Sequence, residues 1–220
     1  MTARFCLLVV AKAPVPGFAK TRLCPPASPE QAAEIAAAAL LDTLDAVAAT
    51  PGAVPVVAVT GDFAAAARSA EIRHALARTT VLDQRGGPFG ERLANAHADT
   101  AARHPGLPVL QIGMDTPQVR PELLAAAAAD LTAHEAVLGR APDGGWWTLG
   151  LRDPAAARVL EDVPMSRSDT GDRTHAALSQ RGVVPRELTE LSDVDTMADA
   201  RAVASVCDGR FPVAVAAVTR

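Results

Sequence analysis

The sequence has no tyrosine, and its 220 residues include only five phenylalanines and two tryptophans. It therefore offers few rings on which nucleic-acid bases could stack. The formal net charge is -4, so the chain also lacks the excess of basic residues that a polyanionic partner requires. We therefore expect no nucleic-acid partner.

Cysteine and long apolar runs are scarce as well. Cys6, Cys24 and Cys207 form no C-x-x-C pair and leave an odd count, which fits a reducing compartment better than a disulfide scaffold. No apolar run approaches the roughly 20 residues that span a bilayer. We therefore expect a cytoplasmic protein without a membrane partner.

Lysine occurs only twice, as Lys12 and Lys20, and both lie in the segment AKAPVPGFAKTRL together with Arg22. The segment follows the apolar run Phe5 to Val10, which predicts a buried strand. Ligands of open α/β sheets bind at the carboxyl ends of strands, and an ammonium is a good partner for phosphate. The segment therefore predicts a site for a phosphorylated ligand, with a solvated basic turn as the alternative.

Apolar runs alternate along the chain with alanine-rich helical stretches, which predicts a mostly parallel sheet of about seven strands with helices on both faces. A capping sequence at Ser28 predicts a helix to about Ala49, Asp62 predicts a helix to about Ala77, and Thr196 predicts the start of the last helix. No shift in composition marks a boundary, so we expect one α/β domain over residues 1–220. The predicted strands are Phe5–Val10, Val54–Thr60, Thr79–Leu82, Val109–Ile112, Ala136–Leu138, Trp146–Leu151 and Val183–Leu188.

Carboxylates follow two of these strands. Asp115 comes just after strand four, and Asp193 and Asp195 follow strand seven. Mg²⁺ prefers oxygen ligands and usually takes only one or two carboxylates. The pattern predicts a divalent metal at Asp115 with one of the two later aspartates. As alternatives, Asp115 is a turn residue and Asp195 part of a helix start.

Two glycine-containing turns are further candidates. Asp143-Gly144-Gly145 turns the chain between two predicted strands and gives the backbone freedom to approach a ligand, and its carboxylate could meet a hydroxyl group. A plain hairpin turn with packed tryptophans is the alternative. Gly87 and Gly90 flank a helix start that could bind an anion, whereas Glu91 there could simply compensate the helix dipole.

The order of these motifs resembles a known family. KAPVPGFAKTRL, GERLANA, IGMDTP, DGGWWTLGL, SDTGDRT and DVDT occur in that order. They resemble a bacterial GT-A family labelled arsenosugar-biosynthesis glycosyltransferase-like, which belongs to the nucleotide-diphospho-sugar transferase superfamily. More distantly, the chain is similar to guanylyltransferases that act on phospholactate or the molybdenum cofactor. The resemblance implies a GT-A (Rossmann-like) fold.

The resemblance also implies a nucleotide sugar or nucleoside triphosphate as donor, a small-molecule acceptor and Mg²⁺ or Mn²⁺. The metal ligands would be Asp115 and Asp195, although Gly113 stands at the first acidic position of the D-x-D motif, and Asp143 and Lys20 would be catalytic. The nucleotide and its phosphates would contact Ala11, Lys12, Pro14, Gly17, Lys20, Thr21, Arg22, Gly90, Arg92 and Asn95. The acceptor or donor sugar would contact Gly144, Gly145, Trp146, Asp169 and Thr170.

Three functions remain open on these residues. The first is metal-assisted transfer of a glycosyl group from a nucleotide sugar to a small molecule. The second is nucleotidyl transfer, in which the same cations bind a triphosphate and pyrophosphate leaves. The third is nucleotide binding without catalysis, because a fold alone does not fix an activity.

Overall fold

The computed structural model describes residues 4–218, and within them seven strands form one sheet. The strands are β1 (Phe5–Lys12), β2 (Ala53–Thr60), β3 (Thr80–Asp83), β4 (Val109–Gly113), β5 (Ala136–Arg140), β6 (Trp146–Leu151) and β7 (Pro185–Leu188). The α-helices are α1 (Pro29–Ala49), α2 (Ser69–Leu76), α3 (Phe89–Arg103), α4 (Pro121–Ala133), α5 (Thr170–Gln180), α6 (Met197–Ala204) and α7 (Arg210–Ala216). Two 3₁₀ helices cover Thr21–Leu23 and Pro154–Asp162. None of the helices in this described part has the length and apolar character needed to cross a bilayer.

The sheet is mostly parallel, in the order β3-β2-β1-β4-β6-β5-β7. Only β6 runs against its neighbours, with Ile112 of β4 opposite Thr148 and Leu138 of β5 opposite Leu149. The carboxyl ends of the other six strands and the amino end of β6 therefore meet at one edge. The predicted sheet of about seven strands is confirmed, and this edge gathers all the segments that carry candidate site residues.

Alternating side chains of β1 divide the core into two layers. Leu7 and Val9 face α1, α2 and α4, whereas Cys6 and Leu8 face α3, α5 and the 3₁₀ helix Pro154–Asp162. Because both faces of a parallel strand are buried, the strand reads as an unbroken apolar run. Helices cover both faces of the sheet, as predicted. The helices α6 and α7 form an outer layer on α1.

Two predicted helix starts are confirmed. The Ser28 side chain accepts the N–H of Gln31, and the Gln31 side chain accepts the Ser28 N–H, which closes a capping box on α1. Thr196 and Asp199 form the same reciprocal pair on α6. Such pairs satisfy backbone N–H groups that a helix leaves without partners at its start.

The predicted helix start at Asp62 is wrong, because α2 begins only at Ser69. The Asp62 carboxylate does accept N–H groups two and three residues ahead, from Ala64 and Ala65, but it closes a local turn that does not continue as a helix. The expectation that the helix after Thr196 is the last one is also wrong, since α7 follows it at Arg210–Ala216.

A fully buried histidine links α3 to the central strand β4. The Nε2–H of His97 donates to Gln111 Oε1 over 3.0 Å, and Nδ1 has no hydrogen-bond partner among residues 4–218. Burial lowers the pKa of His97 from 6.5 to about 4, and the bond to Gln111 offsets only part of that effect. The imidazole is therefore neutral in the folded protein at neutral pH.

This histidine should make the stability fall in mild acid. Between pH 6.5 and 4 the unfolded chain binds a proton at His97 and the folded chain does not. The free energy of unfolding should therefore drop by roughly 3 kcal/mol as the pH falls through that window. Urea unfolding measured across this range should show a smaller drop for His97→Gln than for the wild type. The control His134→Gln, at an exposed histidine, should keep the wild-type slope, and an equal slope in His97→Gln would contradict the assignment.

Candidate active site

A cleft of about 530 Å³ opens at the carboxyl edge of the sheet. Most of the residues singled out in the sequence line it: Ala11, Lys12, Lys20, Thr21, Arg22, Arg92, Asp115, Asp143, Gly145, Trp146, Thr170 and Asp195. The others lie outside the lining: Pro14, Gly17, Gly90, Asn95, Gly144 and Asp169. One cavity thus collects four segments: residues 13–22 after β1, called the first loop below, the end of β4, the turn before β6 and the segment after β7.

Lys20 stands at the centre of the cleft. Its ammonium donates to Asp115 Oδ2 over 2.6 Å and to Asp195 Oδ1 over 3.2 Å. Its backbone has φ 50° and ψ 40°, in the left-handed region that non-glycine residues rarely adopt. Arg22 adds a bond of 2.7 Å from Nη1 to Asp195 Oδ2. The first loop therefore joins both carboxylate segments through cations.

Three carboxylates face one another in this centre. Oxygens of Asp115, Asp193 and Asp195 lie within 4.8 Å of one another. Val194, which lies between Asp193 and Asp195, is buried, and its N–H donates to the Asp115 carbonyl oxygen over 3.1 Å. Because this residue points inward, the aspartates on either side of it both turn toward the cleft, as the alternation of an extended segment predicts.

The close approach of these charges shifts two pKa values. Burial alone lowers the pKa of Lys20, but the charges and hydrogen bonds of Asp115 and Asp195 outweigh it and leave this pKa above its ordinary value. Lys20 is therefore charged. Burial, followed by repulsion from the carboxylates at 115, 195 and 143, raises the pKa of Asp193 to about 6.

The three aspartates fit a divalent cation. Their clustered ligand atoms are all carboxylate oxygens, the donor type that Mg²⁺ and Mn²⁺ prefer. All three side chains are half-buried, which leaves one side of the cluster open to the cleft. Asp193, which the sequence left as an alternative to Asp195, thus joins the cluster beside it.

The first loop uses its own backbone donors internally. The N–H groups of Ala13, Val15, Phe18 and Ala19 all donate to carbonyl oxygens of the loop or of Thr60. The Lys12 ammonium donates to the Phe18 carbonyl oxygen over 2.7 Å and lies 3.8 Å from the centre of the Phe18 ring. From residue 13 to 19 the loop therefore offers few backbone N–H groups. The free N–H groups of the cleft-lining part are those of Lys20, Thr21 and Arg22, which make no hydrogen bond among the described residues.

The opposite wall consists of two loops packed together, residues 141–145 before β6 and, as the second loop, residues 163–169 before α5. Gly144 has φ 89°, and a Cβ there would collide with the carbonyl group of Ser168. The Gly171 N–H donates to the Gly144 carbonyl oxygen over 2.8 Å. Thr170 closes the second loop, because its hydroxyl accepts the Arg167 N–H and donates to the Pro164 carbonyl oxygen. Glycine at 144 and 171 is what lets the loops approach so closely.

The adjacent tryptophans face opposite sides of β6. Trp146 lines the cleft and donates its indole N–H to Thr174 over 3.2 Å, whereas Trp147 is buried and donates to the Thr189 carbonyl oxygen. Asp143 is exposed at the cleft, and its carboxylate accepts the Gly145 N–H over 2.8 Å. This bond fixes the carboxylate beside the amino end of β6.

The predicted residues outside the lining contact the supports of the cleft. Gly90 packs against the Leu160 carbonyl group, where a Cβ would collide, and Asn95 donates to the Arg85 carbonyl oxygen over 3.0 Å. Asp169 accepts from Arg173 over 2.7 Å, and the Arg173 bond lowers the pKa of Asp169. Pro14 is buried within its loop, and Gly17 is exposed.

Several lining residues had not been singled out in the sequence. They include Phe18, Thr60, Gln84, Phe89, Met114, Met165, Ser166 and Arg167. Phe18 and Met114 lay inside the motifs KAPVPGFAKTRL and IGMDTP, and Arg167 lay directly before SDTGDRT, so the motifs themselves were the signal for these three residues. Gln84 lay just beyond a predicted strand end, which is the signal that identified Asp115.

The contact between the two loops predicts a large cost for one glycine substitution. Gly144→Ala should lower the free energy of unfolding by roughly 1–3 kcal/mol more than Gly17→Ala, because only the former adds a collision. Both glycines have positive φ, so backbone strain is common to both variants, and the Cβ at Gly17 meets nothing within 4 Å. Urea unfolding of the two variants measures the difference. Equal costs would show that the loops separate without penalty.

Known proteins resemble this chain in sequence and in fold. A phosphoenolpyruvate guanylyltransferase of Nocardia farcinica is 33% identical over 127 residues, which cover 58% of this chain. The chain spans about half of that relative, 51% of its length. A putative nucleotide-diphospho-sugar transferase from Desulfovibrio desulfuricans has 26% identity and a TM-score of 0.75, over 89% of this chain and 84% of its own. Rv0371c of Mycobacterium tuberculosis, solved in complex with manganese, has 21% identity and a TM-score of 0.52, and the match covers 92% of this chain and 98% of that protein.

These likenesses confirm an α/β fold of the nucleotide-diphospho-sugar transferase type and support a transferase. The narrower arsenosugar label stays a prediction. A family model described as "Uncharacterized protein conserved in bacteria (DUF2064)" matches residues 43–167, which is more than half of the chain. The chain therefore belongs to this bacterial family.

Proposed function

We propose that the protein transfers a glycosyl group from a nucleotide sugar to a small-molecule acceptor with the help of a divalent metal ion. The observation that carries the proposal is the cluster in which Lys20 and Arg22 meet Asp115 and Asp195 at the carboxyl edge of the sheet. Cations and metal-binding carboxylates in one cleft suit a diphosphate, because its charge needs both.

The roles of the residues follow from their positions. Breaking the bond between sugar and phosphate leaves negative charge on the departing nucleoside diphosphate. The Lys20 ammonium and the mostly exposed Arg22 guanidinium stabilise that charge from the first loop. Asp143, across the cleft beside Trp146, orients the acceptor hydroxyl and takes its proton.

The aspartates at 115, 193 and 195 would hold the metal, which when bound neutralises phosphate charge as a Lewis acid. Mg²⁺ and Mn²⁺ both suit their oxygens. Support for a divalent metal comes from the neighbour of similar fold that was solved in complex with manganese.

The first loop favours glycosyl over nucleotidyl transfer. Loops that cradle a triphosphate usually do so with backbone N–H groups. In this loop Pro14 and Pro16 have none, and the N–H groups at 13, 15, 18 and 19 already have partners, so that only those of Lys20, Thr21 and Arg22 are left for phosphates at the cleft. The transferase from Desulfovibrio desulfuricans, which matches most of the chain, points the same way.

Nucleotidyl transfer remains the second candidate, and the guanylyltransferase from Nocardia farcinica is the observation that favours it. The two reactions differ in their products. A glycosyltransferase releases a nucleoside diphosphate, and a nucleotidyltransferase releases pyrophosphate from a triphosphate.

Product analysis tests the proposal. Incubated with a panel of nucleotide sugars, nucleoside triphosphates and acceptors, the protein with Mg²⁺ or Mn²⁺ should release nucleoside diphosphate and not pyrophosphate. EDTA should abolish turnover. Asp115→Asn should lower turnover at least about 10-fold, because it removes one charge from the metal cluster and keeps the side-chain shape.

The matched control is Asp162→Asn, which changes the same side chain at the exposed end of a 3₁₀ helix. It should keep wild-type turnover. Pyrophosphate as the product would replace the proposal with nucleotidyl transfer. Turnover that survives EDTA would reject the metal.

The two tryptophans provide a test of binding that needs no turnover. A nucleotide sugar bound with Mg²⁺ should change tryptophan emission, because it alters the surroundings of the indole that lines the cleft. Trp147→Phe should keep the change, whereas Trp146→Phe should lose most of it, since only Trp146 faces the cavity. A retained signal in Trp146→Phe would place the ligand away from this wall.

A further inference from the structure

One part of the cleft lining, called the arm below, contains none of the residues to which the proposed function assigns the phosphates, the metal or the acceptor. Beyond Lys12 it runs past the ends of β2 and β3 to the start of α3. The residues that line this arm are Thr60, Gln84, Phe89, Arg92 and Leu93. If a diphosphate lies at Lys20 and the acceptor at Trp146, this arm is the part of the cleft left for the base.

Gln84 fixes the chemistry of this arm. Its Nε2 donates to the carbonyl oxygens of Ala11 and Ala58 over 3.0 and 2.9 Å, so both amide protons are used at the strand ends. The amide oxygen must then point the other way, where it accepts from Arg92 Nη1 over 3.2 Å. Gln84 therefore turns an acceptor toward Arg92 and holds the guanidinium in place.

Arg92 keeps unused donors. It is half-buried and pairs with no carboxylate among residues 4–218, unlike Arg85, which is bound to Asp99. Its Nη2 makes no hydrogen bond in that part of the chain, and its Nε is buried without a partner. A guanidinium held by a neutral amide alone can form strong, paired hydrogen bonds with a ligand that offers two adjacent acceptors.

An aromatic ring stands beside these donors. Phe89 is 41% exposed, and the guanidinium of Arg92 lies 5.1 Å from the centre of its ring. A large apolar side chain left open in a cleft is a surface on which a base can stack. The arm therefore offers the Phe89 ring as a stacking surface and the Arg92 guanidinium as a donor of two parallel hydrogen bonds.

We propose that Arg92 selects the base, and that the nucleotide is a guanine nucleotide. Guanine presents two adjacent acceptors, O6 and N7, which match an arginine fork. Adenine places an amino donor beside N7, and uracil has an N–H between its two oxygens, so neither offers two adjacent acceptors. Cytosine has such a pair only in O2 and N3, which begins at the atom beside the ribose, whereas O6 of guanine lies on the edge far from the sugar, toward the end of the arm. The proposal rests on the proposed function, because it requires a nucleotide in this cleft.

Calorimetry with nucleoside diphosphates and Mg²⁺ tests the selection directly. GDP and IDP, which share O6 and N7, should bind with similar affinity. ADP and CDP should bind at least about 10-fold more weakly, in line with the discrimination that one bidentate contact provides. IDP is informative because it lacks the 2-amino group of guanine and keeps the edge that Arg92 reads.

Variants locate the selection at Arg92. Arg92→Ala should bring GDP affinity down to that of ADP, and Arg92→Gln should move the preference toward ADP, because an amide pairs with the edge of adenine. Arg85→Gln is the control, since this exposed arginine is nearby but does not line the cleft. It should keep the wild-type ratio. Circular dichroism checks that each variant is folded.

The outcomes separate this inference from the proposed function. Equal binding of all four diphosphates, or a wild-type GDP to ADP ratio in Arg92→Ala, overturns base selection and leaves glycosyl transfer standing. GDP binding far tighter than IDP shows that the 2-amino edge is read and overturns the role of Arg92. No binding of any nucleotide, with or without Mg²⁺, overturns both.

Discussion

The bond from the Lys20 ammonium to Asp115 and Asp195 is the interaction on which the cleft depends. It joins segments that are 95 and 175 residues apart in the chain. Two carboxylate charges within 4.8 Å of each other repel by roughly 3 kcal/mol at an effective dielectric constant near 20. Without a cation among them, the three acidic side chains could share this edge only if one of them were protonated. The first loop and the proposed divalent metal would therefore act on the same charges.

This interaction has a local conformational cost. Lys20 adopts a left-handed backbone, which costs a non-glycine residue roughly 1–2 kcal/mol. The Leu23 N–H donates to the Lys20 carbonyl oxygen, and the buried side chain of Leu23 anchors the 3₁₀ turn in the core beside α1. The packing of Leu23 thus offsets the cost of the left-handed backbone that directs the Lys20 ammonium into the cleft. The strain lies at Lys20 itself, the residue that contacts both carboxylate segments.

Local signals predicted most of the fold, and the exceptions have a physical cause. The unbroken apolar run of β1 and the capping box at Ser28 both depend only on residues that are close together in the sequence. The helix α7 is different, because its first N–H groups, at Arg210 and Phe211, donate to the carboxylate of Asp42 on α1. A cap that comes from 168 residues away leaves no local pattern. At Asp62 the local pattern was present, but an aspartate that closes a turn looks the same as one that caps a helix.

The residues of the site likewise fall into those that local sequence predicts and those that depend on contacts between distant segments. Lys20, Asp115 and Asp195 could be predicted because each follows a strand, and parallel strands end at one edge. The pairing of Gln84 with strand-end carbonyl oxygens and the contact of Gly144 with Ser168 could not, since both depend on packing between distant segments. The wall of the cleft at which we propose that the donor binds therefore stands on the strand ends of the sheet, whereas the proposed acceptor wall stands on two loops. Because loops change more readily than the elements they connect, we expect relatives with this sheet to keep the wall at the strand ends and to differ in the wall that the two loops form.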